Sequence, residues 1–135
     1  MGRVIFDKEK CVNCNSCILA CSFHHKGEYN PFFARIKKVK ETNSHNYVSI
    51  CRQCSEQTCY NVCPSNAIHI DNQEKIPIVD EKKCTGCGIC VKNCKYHGIF
   101  LNLIDKKALK CDLCIDNPPP ICVEVCIPKA LRYED

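Results

Sequence analysis

Short apolar runs, separated by polar and cysteine-containing segments, are the main hydrophobic pattern of this chain. Most of the runs are rich in Val, Ile or Leu and lie next to Asp, Asn or Gly, which is typical of short β-strands bounded by turns. The runs span residues 4–6, 48–50, 67–70, 76–79, 99–103 and 131–133. We therefore predict small two-stranded pieces of sheet rather than one large sheet.

A basic segment, Arg35-Ile36-Lys37-Lys38-Val39-Lys40, mixes Lys and Arg with apolar positions and predicts a further strand with one solvated face. Basic runs also occur in nucleic-acid-binding proteins. No helix-turn-helix, RNA-recognition or zinc-finger pattern accompanies this one, so we exclude nucleic acid as a partner. We expect instead that residues 22–50 dock a catalytic protein partner.

Cysteine is the main candidate for chemistry in this chain. The sequence has 16 Cys among 135 residues, and all of them fall into four groups of four. Groups one and three read C-x2-C-x2-C-x3-C, group two reads C-x2-C-x4-C-x3-C, and group four reads C-x2-C-x7-C-x3-C. In chain order the groups are Cys11, Cys14, Cys17 and Cys21; Cys51, Cys54, Cys59 and Cys63; Cys84, Cys87, Cys90 and Cys94; and Cys111, Cys114, Cys122 and Cys126.

The spacing of groups one and three is that of bacterial ferredoxins, in which three thiolates hold one iron–sulfur cluster and the fourth reaches another. Two intervening residues let the backbone curl around a cluster with its amide N–H groups turned inward. We expect a single helical turn at most between the third and fourth cysteines. The sixteen cysteines therefore predict four [4Fe–4S] clusters, or about 16 iron atoms per chain.

Disulfides and structural zinc are the competing explanations of so many cysteines. Disulfides need oxidising surroundings, and thiols as closely spaced as those of groups one and three would not pair uniquely. Structural zinc usually takes two C-x2-C pairs separated by a dozen or more residues, which groups one and three lack. Neither explanation accounts for all four groups.

The first residues lead directly into a charged stretch, which leaves no room for the apolar core of a secretory signal. No apolar stretch approaches the roughly 18 residues that a membrane helix needs. We therefore expect a soluble, cytoplasmic protein without direct membrane insertion, in a compartment that keeps thiols reduced.

An internal duplication relates the four groups in the order A-B-A-B. Residues 7–10 before Cys11 align with residues 80–83 before Cys84, and Ala67 and Ala130 each lie four residues after the last Cys of their group. The predicted fold class is α+β, with small β-hairpins and short helices around the clusters. Roughly 34 residues per group are too few for side chains alone to hold a fold, so we expect the apo-protein to be largely unfolded.

The four groups together resemble the four-cluster ferredoxin-like electron-transfer subunits of anaerobic oxidoreductases, which include the iron–sulfur subunits of dimethyl-sulfoxide reductase, formate dehydrogenase and nitrate reductase. Residues 17–31, followed by Ala34-Arg35-Ile36, look most like the small polyferredoxin subunits of tungsten-containing aldehyde oxidoreductases. They are also similar to ferredoxin-like subunits coupled to carbon monoxide dehydrogenase. The resemblance covers nearly the whole chain, which is shorter than those relatives.

The resemblance implies nested pairing, with an inner two-cluster domain at residues 46–99 and an outer one made of residues 1–45 and 100–135. Carried over, cluster 1 takes Cys11, Cys14, Cys17 and Cys126; cluster 2 takes Cys51, Cys54, Cys59 and Cys94; cluster 3 takes Cys84, Cys87, Cys90 and Cys63; and cluster 4 takes Cys111, Cys114, Cys122 and Cys21. Spacing alone also allows group one to pair with group two and group three with group four.

The implied function is that of a non-catalytic subunit that relays single electrons between a larger catalytic subunit and an external acceptor. The sequence has no phosphate loop, nucleotide fingerprint or nucleophile–base pattern of its own. The implied partner is a tungsten or molybdenum pterin enzyme that oxidises aldehydes, and the acceptor is a ferredoxin or a flavoprotein subunit. Two alternatives stay open: a free soluble polyferredoxin, and a wiring module that self-associates to join catalytic units, including carbon monoxide dehydrogenase or hydrogenase systems.

The histidines are secondary candidates. His24 and His25 follow Cys21 and would either hydrogen-bond a cluster or, as we favour, pack or face solvent. We expect His69 and His97 to be structural and His45 to be exposed, and no histidine to ligate a cluster.

Glycine, proline and charge complete the picture. Gly86 and Gly88 are expected to let the group-three loop approach its cluster closely. The Asn-Pro-Pro-Pro segment at 117–120 is expected to shield a cluster.

The formal net charge of +4 counts every Cys as neutral. Four oxidised clusters with their thiolates add about −8, so we expect a holo-protein of about −4 in which the basic excess partly compensates the clusters.

Overall fold

The computed structural model describes residues 2–40 and 46–135. The elements in chain order are β1 (Arg3–Phe6), α1 (Ser16–Lys26), a 3-10 turn (Pro31–Phe33), β2 (Ile36–Lys40), β3 (Asn46–Ile50), α2 (Thr58–Val62), β4 (Ile68–Ile70), β5 (Pro77–Val79), α3 (Ile89–Asn93), β6 (Ile99–Leu101), β7 (Ala108–Lys110), α4 (Ile121–Val125) and β8 (Leu131–Glu134). This mixture of short helices and strands confirms the predicted α+β class.

Each strand pairs with one antiparallel partner, in the order β1–β8, β2–β3, β4–β5 and β6–β7. Every predicted apolar run contains a strand, and the basic segment forms β2. Strand β7 was not predicted, because its three residues run directly into group four. Strand β6 stops at Leu101 because Asn102 begins a turn, in which its N–H donates to the Lys107 carbonyl at 2.8 Å.

The β1–β8 ribbon ties the segment before group one to the segment after group four. Val4 pairs with Tyr133 and Phe6 with Leu131, and the Asp7 N–H donates to the Ala130 carbonyl at 2.7 Å. The β4–β5 ribbon does the same between groups two and three, where the Asp80 N–H donates to the Ala67 carbonyl at 2.6 Å. The sequence duplication therefore reappears as two equivalent ribbons with equivalent hydrogen bonds.

The helices agree with the sequence in three groups and differ in one. Helices α2, α3 and α4 have 5 residues each, which is the single turn predicted. Helix α1 has 11 residues, so the prediction of a single turn is wrong there. Pro64 and Pro128 lie just behind the last cysteines of groups two and four, whereas group one meets no Gly or Pro before Gly27. Gly27, at φ 74°, ends α1 by donating its N–H to the Phe23 carbonyl.

The buried core contains both aliphatic side chains and thiols. Ile36, Ile76, Leu109 and Leu131 are at most 2% exposed. The cysteines that share this buried interior are Cys21, Cys51, Cys90, Cys111, Cys114, Cys122 and Cys126. The cysteine groups are therefore part of the core and not an attachment to it.

The solvated face expected for β2 differs from a simple row of lysines. Ile36 is buried and Val39 is exposed, while Lys37 and Lys38 are half-buried. The Lys37 ammonium donates to the Pro31 carbonyl at 2.6 Å, and the Lys38 ammonium donates to Asn15 Oδ1 at 2.9 Å. Both lysines thus hold neighbouring loops. Across the described residues, no helix combines the length and apolar character needed to cross a membrane.

Candidate metal centre

The cysteine loops share one backbone conformation although their residues differ. The second residue after the first Cys of each group has a positive φ: 61° at Asn13, 49° at Gln53, 77° at Gly86 and 61° at Leu113. This left-handed conformation turns the chain back toward the preceding cysteine. Only group three uses glycine, and there a Cβ on Gly86 would lie 2.1 Å from the Lys106 carbonyl oxygen. The close approach that we expected at Gly86 is therefore made to the backbone of the β6–β7 turn.

Backbone amides point at the sulfurs in a repeated pattern. The first and the last cysteine of every group accept a backbone N–H, at N···S distances of 3.2–3.4 Å. The donors to the first cysteines are Asn13, Gln53, Ala108 and Leu113, and the donors to the last cysteines are Arg35, Ala67, Gly98 and Ala130. Such donors stabilise a thiolate more than a thiol, so the loops are built for the ionised, metal-binding form of cysteine.

Three cavities each bring together three thiols of one group and the last thiol of another. They are lined by Cys11, Cys14, Cys17 and Cys126; by Cys51, Cys54, Cys59 and Cys94; and by Cys63, Cys84, Cys87 and Cys90. We call these thiol sets one, two and three. They have the same members as the first three ligand sets that the family resemblance implies.

The remaining thiols, Cys21, Cys111, Cys114 and Cys122, form thiol set four. Burial raises the pKa of Cys122 well above its ordinary value, and the negative charges of Cys111, Cys21 and Cys114 raise it further. The four sulfurs are therefore close enough to act on one another in a buried environment.

The donor chemistry fits iron–sulfur clusters. Each set offers four soft sulfur ligands. Burial raises the pKa of Cys17, Cys21, Cys59 and Cys90 to about 11, against the backbone N–H bonds that lower it. Metal binding must displace these protons, so loading the sets releases protons and becomes more favourable as the pH rises.

Thiols of different sets are close enough to act on one another. The charge of Cys17 in set one raises the pKa of Cys122 in set four. Cys51 in set two acts in the same way on Cys111 in set four, and Cys59 in set two acts on Cys90 in set three. Set four therefore neighbours sets one and two, and set two also neighbours set three. The exposed cysteines Cys14 and Cys87 belong to sets one and three.

His24 and His25 both lie beside set four, and their ring nitrogens and the Cys114 sulfur are within 4.8 Å of one another. His25 Nε2 is 3.7 Å from Asp112, and Arg35 Nη1 is 3.2 Å from the same carboxylate. Burial and then the charge of Arg35 lower the pKa of His25 to about 4. His25 is therefore a neutral, packed side chain.

The other predicted features are simpler. His69 and His97 are exposed, and His97 contributes through its carbonyl, which accepts a hydrogen bond from Ser49 Oγ at 2.6 Å. His45 lies outside the described residues. Pro118 and Pro119 are exposed, and Pro120 precedes α4 as its cap residue.

Sequence reasoning missed the buried polar residues, among them Gln53 and Lys110, which are 5% and 4% exposed. The only sequence signal was that a lysine precedes the first Cys of three groups, at Lys10, Lys83 and Lys110. Because Lys10 and Lys83 are exposed, that signal does not identify the buried one.

Comparison with known proteins agrees with this chemistry. Residues 43–135 match the model of the 4Fe-4S dicluster domain. The polyferredoxin-like subunit of aliphatic sulfonate oxidoreductase from Pyrococcus furiosus is 33% identical over 123 residues, which cover 91% of this chain and 70% of that protein. An uncharacterized ferredoxin from Methanocaldococcus jannaschii is 36% identical over 130 residues, which cover 95% of this chain and 76% of that one.

A solved structure, the active site complex BamBC of benzoyl coenzyme A reductase, contains a chain with the same fold. It aligns with a TM-score of 0.59 at 23% identity and covers 99% of this chain and 79% of that one. Sequence and fold thus agree with the resemblance drawn from the cysteine spacing. The chain belongs to the 4Fe-4S dicluster domain family and is similar to a protein named as a polyferredoxin-like subunit of an oxidoreductase.

Proposed function

We propose that this chain is a four-cluster electron relay between a catalytic oxidoreductase subunit and an external acceptor. The grouping of cysteines from different groups around shared cavities, each with three thiols of one group and the last thiol of another, carries the proposal. Bound [4Fe–4S] clusters would supply one-electron transfer at each set. The chain's own residues space the sets, bury seven of the sixteen cysteines and donate backbone hydrogen bonds to the first and last cysteine of each group.

The proposed ligands are the four thiol sets, grouped into an inner unit of residues 46–99 and an outer unit of residues 1–45 and 100–135. The two ribbons β4–β5 and β1–β8 support this nesting, since each joins the two groups of one unit. Metal analysis of the anaerobically purified protein tests the count. About 16 iron atoms per chain are expected, and about four metal ions per chain with zinc dominant would contradict it.

Double substitutions test the pairing. If Cys11 and Cys126 hold one cluster, the variant with both Cys11→Ser and Cys126→Ser loses no more iron than either single variant, about four atoms. The matched pair is Cys11→Ser with Cys63→Ser, in which the losses add because the two residues belong to different sets. The opposite result would favour the pairing of group one with group two.

The proposed catalytic partner is a tungsten or molybdenum pterin enzyme that oxidises aldehydes, with a ferredoxin or a flavoprotein subunit as acceptor. The likeness of residues 17–31 to polyferredoxin subunits of such enzymes supports this, as does the Pyrococcus furiosus relative named as a subunit of an oxidoreductase. Anaerobic affinity purification, with mass spectrometry and tungsten and molybdenum analysis of the complex, is the test. A stable one-to-one complex with such an enzyme supports the proposal. A monomer reduced by many donors favours the free carrier, and concentration-dependent polymers favour the wiring module.

Residues 22–50 are the proposed docking segment, and their described part carries an exposed aromatic patch. The rings of Phe23 and Tyr29 stack with centroids 4.6 Å apart, and these side chains are 47% and 68% exposed. They border a groove of about 1000 Å³ that also reaches His25 and Arg35 beside set four. An apolar patch next to buried thiols suits a partner that must approach a cluster closely.

Substitution of the patch is a cleaner test of docking than charge reversal at Lys37 and Lys38, because both lysines also hold loops of this chain. We expect the variant with Phe23→Ala and Tyr29→Ala to keep its iron and to bind the partner at least tenfold more weakly. Tyr60→Ala is the matched control, since Tyr60 is exposed on α2, away from the segment. Unchanged binding in the double variant would reject this docking surface.

A further inference from the structure

Lys110 is a buried lysine at the junction of thiol sets two and four. It is the last residue of β7, directly before Cys111, and is 4% exposed. Its ammonium donates to Gln53 Oε1 at 2.8 Å and to the Cys111 carbonyl at 3.2 Å. Gln53 Nε2 donates to the same carbonyl at 3.0 Å. Lys110 also lines the cavity of set two.

No carboxylate neutralises this ammonium within the described residues, where none of the ion pairs includes Lys110. A buried charge without an ionic partner is costly, because neutral amide and carbonyl groups replace its hydration only in part. The loop itself does not demand the burial, since Lys10 and Lys83 occupy the same position before Cys11 and Cys84 and are exposed. The burial of Lys110 therefore calls for a negative charge that the side-chain carboxylates do not supply.

The thiolates on both sides of Lys110 are the available negative charges. On one side Lys110 lines the cavity that Cys51, Cys54, Cys59 and Cys94 of set two share. On the other side it directly precedes Cys111 of set four, and its ammonium donates to the Cys111 carbonyl at 3.2 Å. One ammonium thus acts on two sets at the point where the proposed outer unit meets the inner unit.

We propose that Lys110 serves as the shared counter-charge of sets two and four and raises the reduction potentials of the clusters that they hold. The proposal rests on the proposed four-cluster relay. One-electron reduction makes a cluster and its thiolates more negative, and a nearby buried cation stabilises that added charge. Lys110 therefore makes the two central sites better electron acceptors than they would be without it, which favours passage between the two units.

The test is an anaerobic redox titration of the cluster-loaded protein with dithionite, followed by electron paramagnetic resonance. In Lys110→Met we expect two of the four transitions to move to lower potential. At a fixed potential, the ratio of reduced to oxidised cluster should fall at least tenfold, which is about 59 mV for a one-electron couple. Lys110→Arg keeps the charge and should restore most of the shift.

Lys83→Met is the matched control, because it removes the same charge from the equivalent position on the surface, where water screens it. Equal shifts in Lys83→Met and Lys110→Met would overturn the proposal, as would unchanged potentials in a fully loaded Lys110→Met protein. If the Lys110→Met protein does not bind iron, the same redox titration of the Gln53→Glu variant tests the role of Lys110. That near-isosteric change places a carboxylate beside the ammonium and should lower the same two potentials, and unchanged potentials would reject the role of Lys110.

Iron analysis of the unsubstituted protein separates this inference from the proposed function. Fewer than four clusters per chain would contradict the relay itself. If four clusters are bound and their potentials do not change in the Lys110 variants, only the proposed role of Lys110 is contradicted.

Discussion

At the scale of single residues, the cysteine loops depend on backbone conformations that most side chains disfavour. Asn13, Gln53 and Leu113 adopt φ values of 49–61° at one position of the loop, and Gly86 adopts 77° there. Strain of this kind persists where the surrounding structure holds it. At Asn13, Gln53 and Leu113, the N–H of the strained residue donates to the sulfur of the first cysteine of its group. Most of the loops therefore depend on ligation and packing, while group three relieves the strain with glycine.

Gly86→Ala and Gly88→Ala form a matched pair that separates strain from close contact. Both glycines have φ 77°, but a Cβ meets the Lys106 carbonyl oxygen at 2.1 Å at Gly86 and nothing within 4 Å at Gly88. We expect Gly88→Ala to destabilise the loaded protein by roughly 1–2 kcal/mol and Gly86→Ala by about 2 kcal/mol more. The loss of visible cluster absorbance in guanidinium chloride measures this. Equal loss in the two variants would show that the contact with Lys106 does not matter.

At the scale of elements, the described strands form four two-stranded ribbons and no large sheet. A lone ribbon is marginal in water, so each depends on what packs against it. In the β1–β8 ribbon, Val4 and Leu131 are 3% and 2% exposed and belong to the same buried cluster as Cys21, Cys122 and Cys126. Ribbon and thiols therefore stabilise each other.

Leu131→Ala tests that dependence. Removal of this buried side chain should cost about 2–4 kcal/mol and should cause loss of the clusters of sets one and four before the others. Iron content and electron paramagnetic resonance of the partly unfolded protein measure the order of loss. Arg132→Ala, on the same strand with a side chain that is 53% exposed, should change stability by no more than about 0.5 kcal/mol. Simultaneous loss of all four clusters in Leu131→Ala would indicate a single cooperative core.

At the scale of the whole molecule, the interior is shared between aliphatic side chains and cysteines that need a metal. Without metal, the thiols of a set form no bonds to a common cluster, so these bonds no longer join the distant segments of the chain. The metal-binding free energy is then largely the folding free energy.

Complete removal of iron should therefore abolish the cooperative thermal transition. We expect far-ultraviolet circular dichroism of the anaerobic apo-protein to show little regular structure and no sharp melting, whereas the loaded protein should melt cooperatively. A cooperative transition in the iron-free chain would show that side-chain packing alone suffices.

The charge of the loaded molecule is also expected to change sign. The formal charge of the chain is +4, and four oxidised clusters with their thiolates bring it to about −4. The loaded protein should bind an anion exchanger at pH 7, and the iron-free, reduced protein should bind a cation exchanger. Retention of both forms on the same resin would contradict a four-cluster content.

The ligand chemistry, the duplication and most of the strands can be predicted from the amino-acid sequence alone. These are local properties, because three thiols within seven residues and a short β-branched run are readable without knowing what lies elsewhere. The length of α1 is also a local property, because no Gly or Pro interrupts the chain between Cys21 and Gly27.

Which distant thiols lie together, and which polar groups are buried with them, depends on how the chain folds in three dimensions. The proximity of Cys126 to Cys11 depends on a ribbon that pairs Arg3 with Glu134, and spacing carries no record of that pairing. The same holds for Lys110, which looks like Lys10 and Lys83 in sequence. Its burial follows from β7 packing at the junction of two thiol sets, and burial is what turns an ordinary lysine into a charge that can act on the metal sites.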